Sequence, residues 1–74
     1  MAYEQIDGVK IGNRIRGIRT ERGESAEVLA KSIGVSNSAI AMYEIGKRIP
    51  RDEIKIKIAE HFGMPVESIF FTTA

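Results

Sequence analysis

The chain has 74 residues, no cysteine and a formal net charge of +1. This length fits one domain. The absence of cysteine excludes a disulfide framework and a cysteine-based zinc site. It also fits a reducing cytoplasm, which is where we expect the protein. No apolar run approaches the length of a membrane span, and the near-neutral charge means that any DNA-binding charge must be clustered rather than in excess.

Residues 1–9 show no hydrophobic period and are predicted to form a loose N-terminal arm, which leaves residues 10–74 as the folded domain. The first helix is predicted from Lys10 to Arg22, because three isoleucines recur there at helical spacing. Gly23 follows in the position of a C-terminal cap.

The next two predicted helices are short and are joined by a tight turn at Gly34. Ser25 can cap the second helix, which ends at Ile33, and Ser36 can cap the third, which runs to about Ile45. Glycine suits the turn because it adopts positive φ without steric cost. Small or apolar residues occupy the positions where such helices pack together, namely Leu29, Ala30, Ile33, Val35, Ile40 and Tyr43. This pattern is typical of a helix-turn-helix, although any helical hairpin in a small bundle would show part of it.

Two prolines open the remaining helices. Pro50 precedes a fourth helix over residues 51–62, and Pro65 starts a last short helix that runs to Phe71. The isoleucines of the fourth helix alternate as in a strand, but their four-residue spacing favours a helix and leaves Ile56 partly exposed or facing a partner. The predicted fold is therefore all-α, with five helices.

With these elements placed, the chain resembles the Cro/cI-type helix-turn-helix family, the λ-repressor-like domains. The resemblance covers about residues 10–71 and is carried by three segments, IGNRIRGIRTERGES, LAKSIGVSNSAIAMYEIGKRIP and KIAEHFGMPVESIF. It implies a five-helix DNA-binding domain and a small regulator of transcription, of the phage or bacterial repressor type. It also implies double-stranded DNA as the partner, a symmetric homodimer, no membrane, and neither a cofactor nor a small-molecule ligand.

The resemblance implies base contacts from the start of the third helix. The residues at these positions are Asn37 and Ser38, followed one turn later by Ala41 and Met42. Asn37 can pair bidentately with adenine, and Ser38 can contact either kind of base pair. The two apolar side chains can contact only apolar groups such as the thymine methyl. Capping of the helix is the alternative role for Asn37 and Ser38, although Ser36 already fills it.

Phosphate contacts are implied at three places. They are the helix-turn-helix, at the starts of its second and third helices, then the loop after the third helix, and the first helix. The candidates are Ser25, Ala26, Ser36, Lys47, Arg48, Asn13 and Arg14, and Arg16 is a further one. Backbone N–H groups and the helix dipole attract an anion at a helix N-terminus. The family often has glutamine at the position of Ala26, and its loss removes a phosphate contact and a support for the base-reading side chain. The family also often has a polar residue at the position of Ile45, so Lys47 and Arg48 must supply that phosphate contact here. A solvated loop is the alternative for this basic pair.

An ion pair and a dimer face are also expected. Arg19 and Glu44 are expected to form a partly buried ion pair between the first helix and the end of the third. Val66 and Phe71 are candidates for a dimer face, because the C-terminal segment is unusually apolar. Completion of the core is the alternative for that segment.

No enzyme is predicted. His61 is the only histidine and has no second ligand for a metal, so we expect it to be structural. The serines lack a nucleophile motif, and the carboxylates are interpreted as solvated. The competing hypothesis is a protein-interaction module on the same fold, an adaptor or an antitoxin-like partner. It is favoured by the weakly polar third helix, through Ala39, Ala41, Met42 and Ile45.

Overall fold

The first three helices each begin after a residue whose side chain caps them. The side chain of Asp7 accepts a hydrogen bond from the backbone N–H of Lys10 at 2.9 Å, and Ser25 and Ser36 cap the next two helices in the same way. A serine or aspartate at this position satisfies an N–H group that has no partner within the helix.

The computed structural model describes residues 3–73. Along this part of the chain the elements are β1 (Tyr3–Gln5), α1 (Gly8–Glu21), α2 (Ala26–Ile33), α3 (Asn37–Glu44), α4 (Asp52–Phe62), α5 (Val66–Phe70) and β2 (Phe71–Thr73). The predicted five-helix architecture is confirmed, and each helix starts within two residues of its expected position. None of these helices is long and apolar enough to cross a membrane.

The prediction of a loose arm over residues 1–9 is wrong for the part of it that the structure describes. Strand β1 pairs with β2 in an antiparallel register that sets Tyr3 opposite Thr73. Ile6 is buried, and its N–H donates to the carbonyl of Phe70 at 3.0 Å. The folded domain therefore includes residues 3–9, and the expected boundary at residue 10 is not a domain boundary. Residues 1 and 2 lie outside the described residues.

The last helix also ends one residue early, at Phe70, because the chain becomes extended at Phe71 and enters β2. Three-residue strands contain too few positions to show an alternating pattern, so neither strand was predictable from periodicity.

All five helices contribute to one core. Its buried members are Ile6, Ile11, Ile15, Leu29, Ala30, Ile33, Ala39, Ile40, Tyr43, Ile54, Ile58, Ala59, Phe62, Ile69 and Phe70. Helix α1 crosses the end of α3 at very short range, because a Cβ atom added at Gly12 would collide with the carbonyl oxygens of Tyr43 and Glu44. Glycine at this position therefore sets the distance between α1 and α3.

Candidate nucleic-acid interface

The α2–α3 turn depends on one left-handed residue. Gly34 has φ 75°, and its N–H donates to the carbonyl of Ala30. The N–H of Val35 donates to the same carbonyl at 3.0 Å. These two hydrogen bonds to one carbonyl end α2, and Ser36 then caps α3. Three residues, Gly34, Val35 and Ser36, therefore join the two helices.

Helix α3 has one face in the core and one face in solvent. Ala39, Ile40 and Tyr43 are buried. The exposed residues of the helix are Asn37, Ser38, Ala41 and Met42, which all lie on one side because residues four apart in a helix share a face. The structure therefore brings the four predicted base-contacting residues together. The exposed apolar strip predicted on this helix is shorter than expected, since Ala39 belongs to the core.

The starts of α2 and α3 both present a serine hydroxyl. Ser25 accepts from the N–H of Val28 at 3.1 Å, and Ser36 accepts from the N–H of Ala39 at 3.1 Å. Both serines are exposed, and each keeps its O–H as a donor for an outside acceptor such as a phosphate oxygen. Ala26 is half-buried against the core, so only its backbone N–H is suited to an anion.

Lys47 and Arg48 lie in the loop after α3, and both are exposed. Their backbone N–H groups donate to the carbonyl of Met42 at 3.0 and 3.3 Å, which holds the loop against the end of the helix. The guanidinium of Arg48 lies 5.9 Å from the centre of the Tyr43 ring, within the range of a cation–π contact. The two cations therefore lie in a loop that packs against the C-terminal end of α3.

The two candidates on α1 differ. Asn13 is exposed. Arg14 is turned to the C-terminal segment instead, where its Nη1 donates to the carbonyls of Ser68, Ile69 and Phe71 at 3.1, 3.4 and 3.2 Å. The phosphate contact predicted for Arg14 stays a prediction, and it would require the guanidinium to release these carbonyls.

Arg19 and Glu44 form a bidentate pair between α1 and the end of α3. Arg19 Nε lies 2.7 Å from Glu44 Oε2, and Nη2 lies 2.9 Å from Oε1. The remaining Nη1 donates to the carbonyl of Glu24 at 2.8 Å. The side chains of the pair are only 14% and 10% exposed, so solvent screens the charges weakly.

The hydrogen bonds to Glu44 raise the pKa of Arg19 above the usual arginine value, against the opposing effect of burial and with further help from the charges of Glu44 and Glu24. Arg19 therefore remains charged over the whole working range of pH.

The interpretation of all carboxylates as solvated fails at Glu24. Its side chain is largely buried, and its Oε2 lies 2.7 Å from His61 Nε2. This contact links the α1–α2 turn to α4, and it continues the network that begins at Glu44. The partners are 37 positions apart in the chain, so no local pattern could have revealed them.

Val66 and Phe71 are half-buried and pack against the core. With Asp52, Lys55 and Ile56 they line a cleft of about 250 Å³ on the surface formed by α4, α5 and β2. Ile56 is 52% exposed at its edge, in agreement with the sequence-based expectation. Lys55 is buried and bonds to Gln5 and Asp52.

Comparisons with known proteins give a consistent result. A family model described as helix-turn-helix matches residues 15–69. The chain is 38% identical over 58 residues to an uncharacterized HTH-type transcriptional regulator of Methanocaldococcus jannaschii, covering 78% of this chain and 88% of the relative.

Two solved structures are similar in fold and in sequence. The restriction-modification controller protein C.AhdI of Aeromonas hydrophila aligns with a TM-score of 0.79 and 32% identity, over 84% of this chain and 94% of that one. The P22 c2 repressor, solved in complex with a synthetic operator, aligns with a TM-score of 0.76 and 27% identity, over 80% and 89% of the two chains.

Proposed function

The chain belongs to the Cro/cI-type helix-turn-helix family, as its sequence predicted, and we propose on that premise that it regulates transcription by binding double-stranded DNA at specific sequences. The observation that carries the proposal is the exposed face of α3, where Asn37, Ser38, Ala41 and Met42 lie on one side of a helix whose other side is packed in the core. An α-helix fits the major groove of B-DNA, where its first turns contact base edges.

The DNA backbone is held on both sides of this helix in our proposal. The N-terminus of α2, with the exposed hydroxyl of Ser25, offers N–H and O–H donors to one phosphate. Lys47 and Arg48 offer positive charge to another, beyond the end of α3. Contacts of this kind fix the register of the protein on the duplex, while the base contacts supply specificity.

The ion pair between Arg19 and Glu44 has a supporting role. It ties the end of α3 to α1 with two short hydrogen bonds, and Gly12 lets the two helices approach there. A base-contacting helix held in this way loses little conformational freedom on binding, which favours affinity.

The proposed mode of regulation is repression, since a DNA-binding unit can block access to DNA simply by occupying it. The proposed place of action is the cytoplasm. The proposed assembly is a homodimer on two half-sites about 34 Å apart. The cleft lined by Val66, Phe71 and Ile56 is the surface we assign to the dimer contact, because it combines an exposed isoleucine with adjoining apolar side chains.

The experiment that tests the function is selection from a random duplex pool at low salt, followed by affinity measurements across a salt series. We expect a palindrome to be enriched, with an affinity that falls steeply as salt rises because bound phosphates release counterions. Enrichment of no sequence, or binding that is indifferent to salt, would contradict the proposal.

A pair of matched variants locates the interface. Lys47→Ala should weaken binding to all sequences alike and reduce the salt slope by about 1. Lys57→Ala removes the same charge from an exposed position on α4, and we expect it to leave both affinity and slope unchanged. Equal effects of the two variants would mean that only net charge matters.

The protein-interaction module is the weaker alternative. The relatives and the similar structures named above are described as transcriptional regulators, controllers and repressors, and one of the apolar residues that suggested a partner-binding strip is buried. If the selection detected no DNA binding at all, the protein-interaction module would become the favoured function.

A further inference from the structure

The exposed face of α3 carries no charge that is available to a base. Its four side chains are an amide, a hydroxyl, a methyl group and a thioether, at Asn37, Ser38, Ala41 and Met42. The one charged residue of the helix is Glu44. Both of its carboxylate oxygens accept hydrogen bonds from Arg19 within the protein.

This composition disfavours contacts with G·C base pairs. Guanine is recognised in the major groove chiefly by a bidentate arginine or lysine, and the cytosine amino group by a free carboxylate. Within α3 there is neither arginine nor lysine. Lys47 and Arg48 follow the helix in a loop that bonds to its last turn, where Arg48 lies against the ring of Tyr43.

The same face suits A·T base pairs. The amide of Asn37 matches the N6 and N7 groups of adenine, and the C5 methyl of thymine is the apolar group that the major groove presents. Met42 is 38% exposed and stands next to Ala41, so the two side chains form a small apolar surface one turn beyond Asn37. The long flexible side chain of Met42 can fill the space beside a methyl group.

We propose that the centre of each half-site contacted by α3 consists of A·T base pairs, with a thymine methyl packed against Met42 and an adenine paired with Asn37. This inference rests on the proposed function and adds to it the chemical class of the DNA sequence. It also makes Met42 a specificity-determining residue, because the discrimination comes from burial of one methyl group.

The test replaces thymine by uracil, one position at a time, in a duplex obtained by the selection. Uracil keeps the O4 acceptor and lacks only the methyl group, so the wild-type protein should bind about fourfold more weakly at each contacted position. Replacement of thymines outside the half-sites should have no effect and serves as the internal control. Circular dichroism verifies that each variant is folded.

Two variants complete the experiment. With Met42→Ala the thymine and uracil duplexes should bind equally at the position that Met42 contacts. With Lys47→Ala both should weaken while the fourfold difference remains. Specific binding to a G·C-centred site, or indifference of the wild-type protein to every uracil replacement, would overturn the inference and leave the proposed function intact. Absence of specific binding to any duplex would overturn the proposed function itself.

Discussion

Removal of Arg19 tests the ion pair that holds α3. In an Arg19→Met variant the methionine keeps most of the apolar volume, while the Glu44 carboxylate, only 10% exposed, loses both of its hydrogen-bond donors. The carbonyl of Glu24 loses its donor as well. Breaking a buried pair from one side costs about 3–5 kcal/mol, and the total free energy of unfolding of a chain of this size is about 4–11 kcal/mol. The variant should therefore be close to the limit of folding.

Urea and thermal unfolding followed by circular dichroism give the measurement. A loss of 3 kcal/mol corresponds to a fall in Tm of about 12–24 °C for a domain of this size. Arg16→Met is the matched control, since Arg16 lies exposed on the same helix, and its effect should stay within about 0.5 kcal/mol. The double variant Arg19→Met with Glu44→Leu removes both charges and should regain at least about 2 kcal/mol.

The reasoning would be refuted if Arg19→Met cost less than about 1 kcal/mol, as solvent-screened pairs do. It would also fail if the double variant were no more stable than the single one. The raised pKa of Arg19 means that its contribution is complete below the usual arginine pKa and is lost only above the raised value. The stability difference between wild type and variant should thus not change between about pH 7 and pH 10 through titration of Arg19.

Three further predictions concern other parts of the molecule. A Cβ at Gly17 or at Gly34 meets nothing within 4 Å, but only Gly34 has positive φ. Gly17→Ala should therefore stabilise by about 0.5–1 kcal/mol and Gly34→Ala destabilise by about 1–2 kcal/mol in urea unfolding; equal effects would rule out φ as the cause. Arg14→Met should cost about 1–3 kcal/mol of stability with unchanged DNA affinity, whereas tenfold weaker binding at full stability would return Arg14 to the phosphate interface. Ile56→Glu should dissociate the proposed dimer in sedimentation experiments while Val28→Glu, at another exposed apolar position, should not; a dimer that survives would place the contact elsewhere.

The helices were predictable because their ends are marked by residue type. Ser25, Ser36 and Pro65 precede helices, and Gly34 and Gly63 follow them with positive φ. These signals are local, since a cap acts within one turn of its own position. The four candidate base-contacting residues were predictable for a related reason: the helical period that buries Ala39, Ile40 and Tyr43 exposes the opposite side of the helix.

The remaining features depend on contacts between distant parts of the chain. The carbonyls bonded by Arg14 lie at least 54 positions away, and the register of β1 on β2 spans almost the whole described chain. Nothing near Arg14 in the sequence distinguishes a donor to these carbonyls from an arginine that contacts DNA. Such pairings are decided by packing geometry, which a single sequence does not encode in any short pattern.

The pairing of β1 with β2 makes the two ends of the described chain neighbours. Antiparallel partners such as Tyr3 and Thr73 have Cα atoms within about 5.5 Å of each other, so a short linker could join them. New ends could then be opened in the exposed turn at Gly23, since circular permutation is tolerated at exposed turns. The permuted chain would begin with α2 and α3 and end with α1. It would show whether the ion pair between Arg19 and Glu44 can form when α3 lies near the start of the polypeptide and α1 lies at its end.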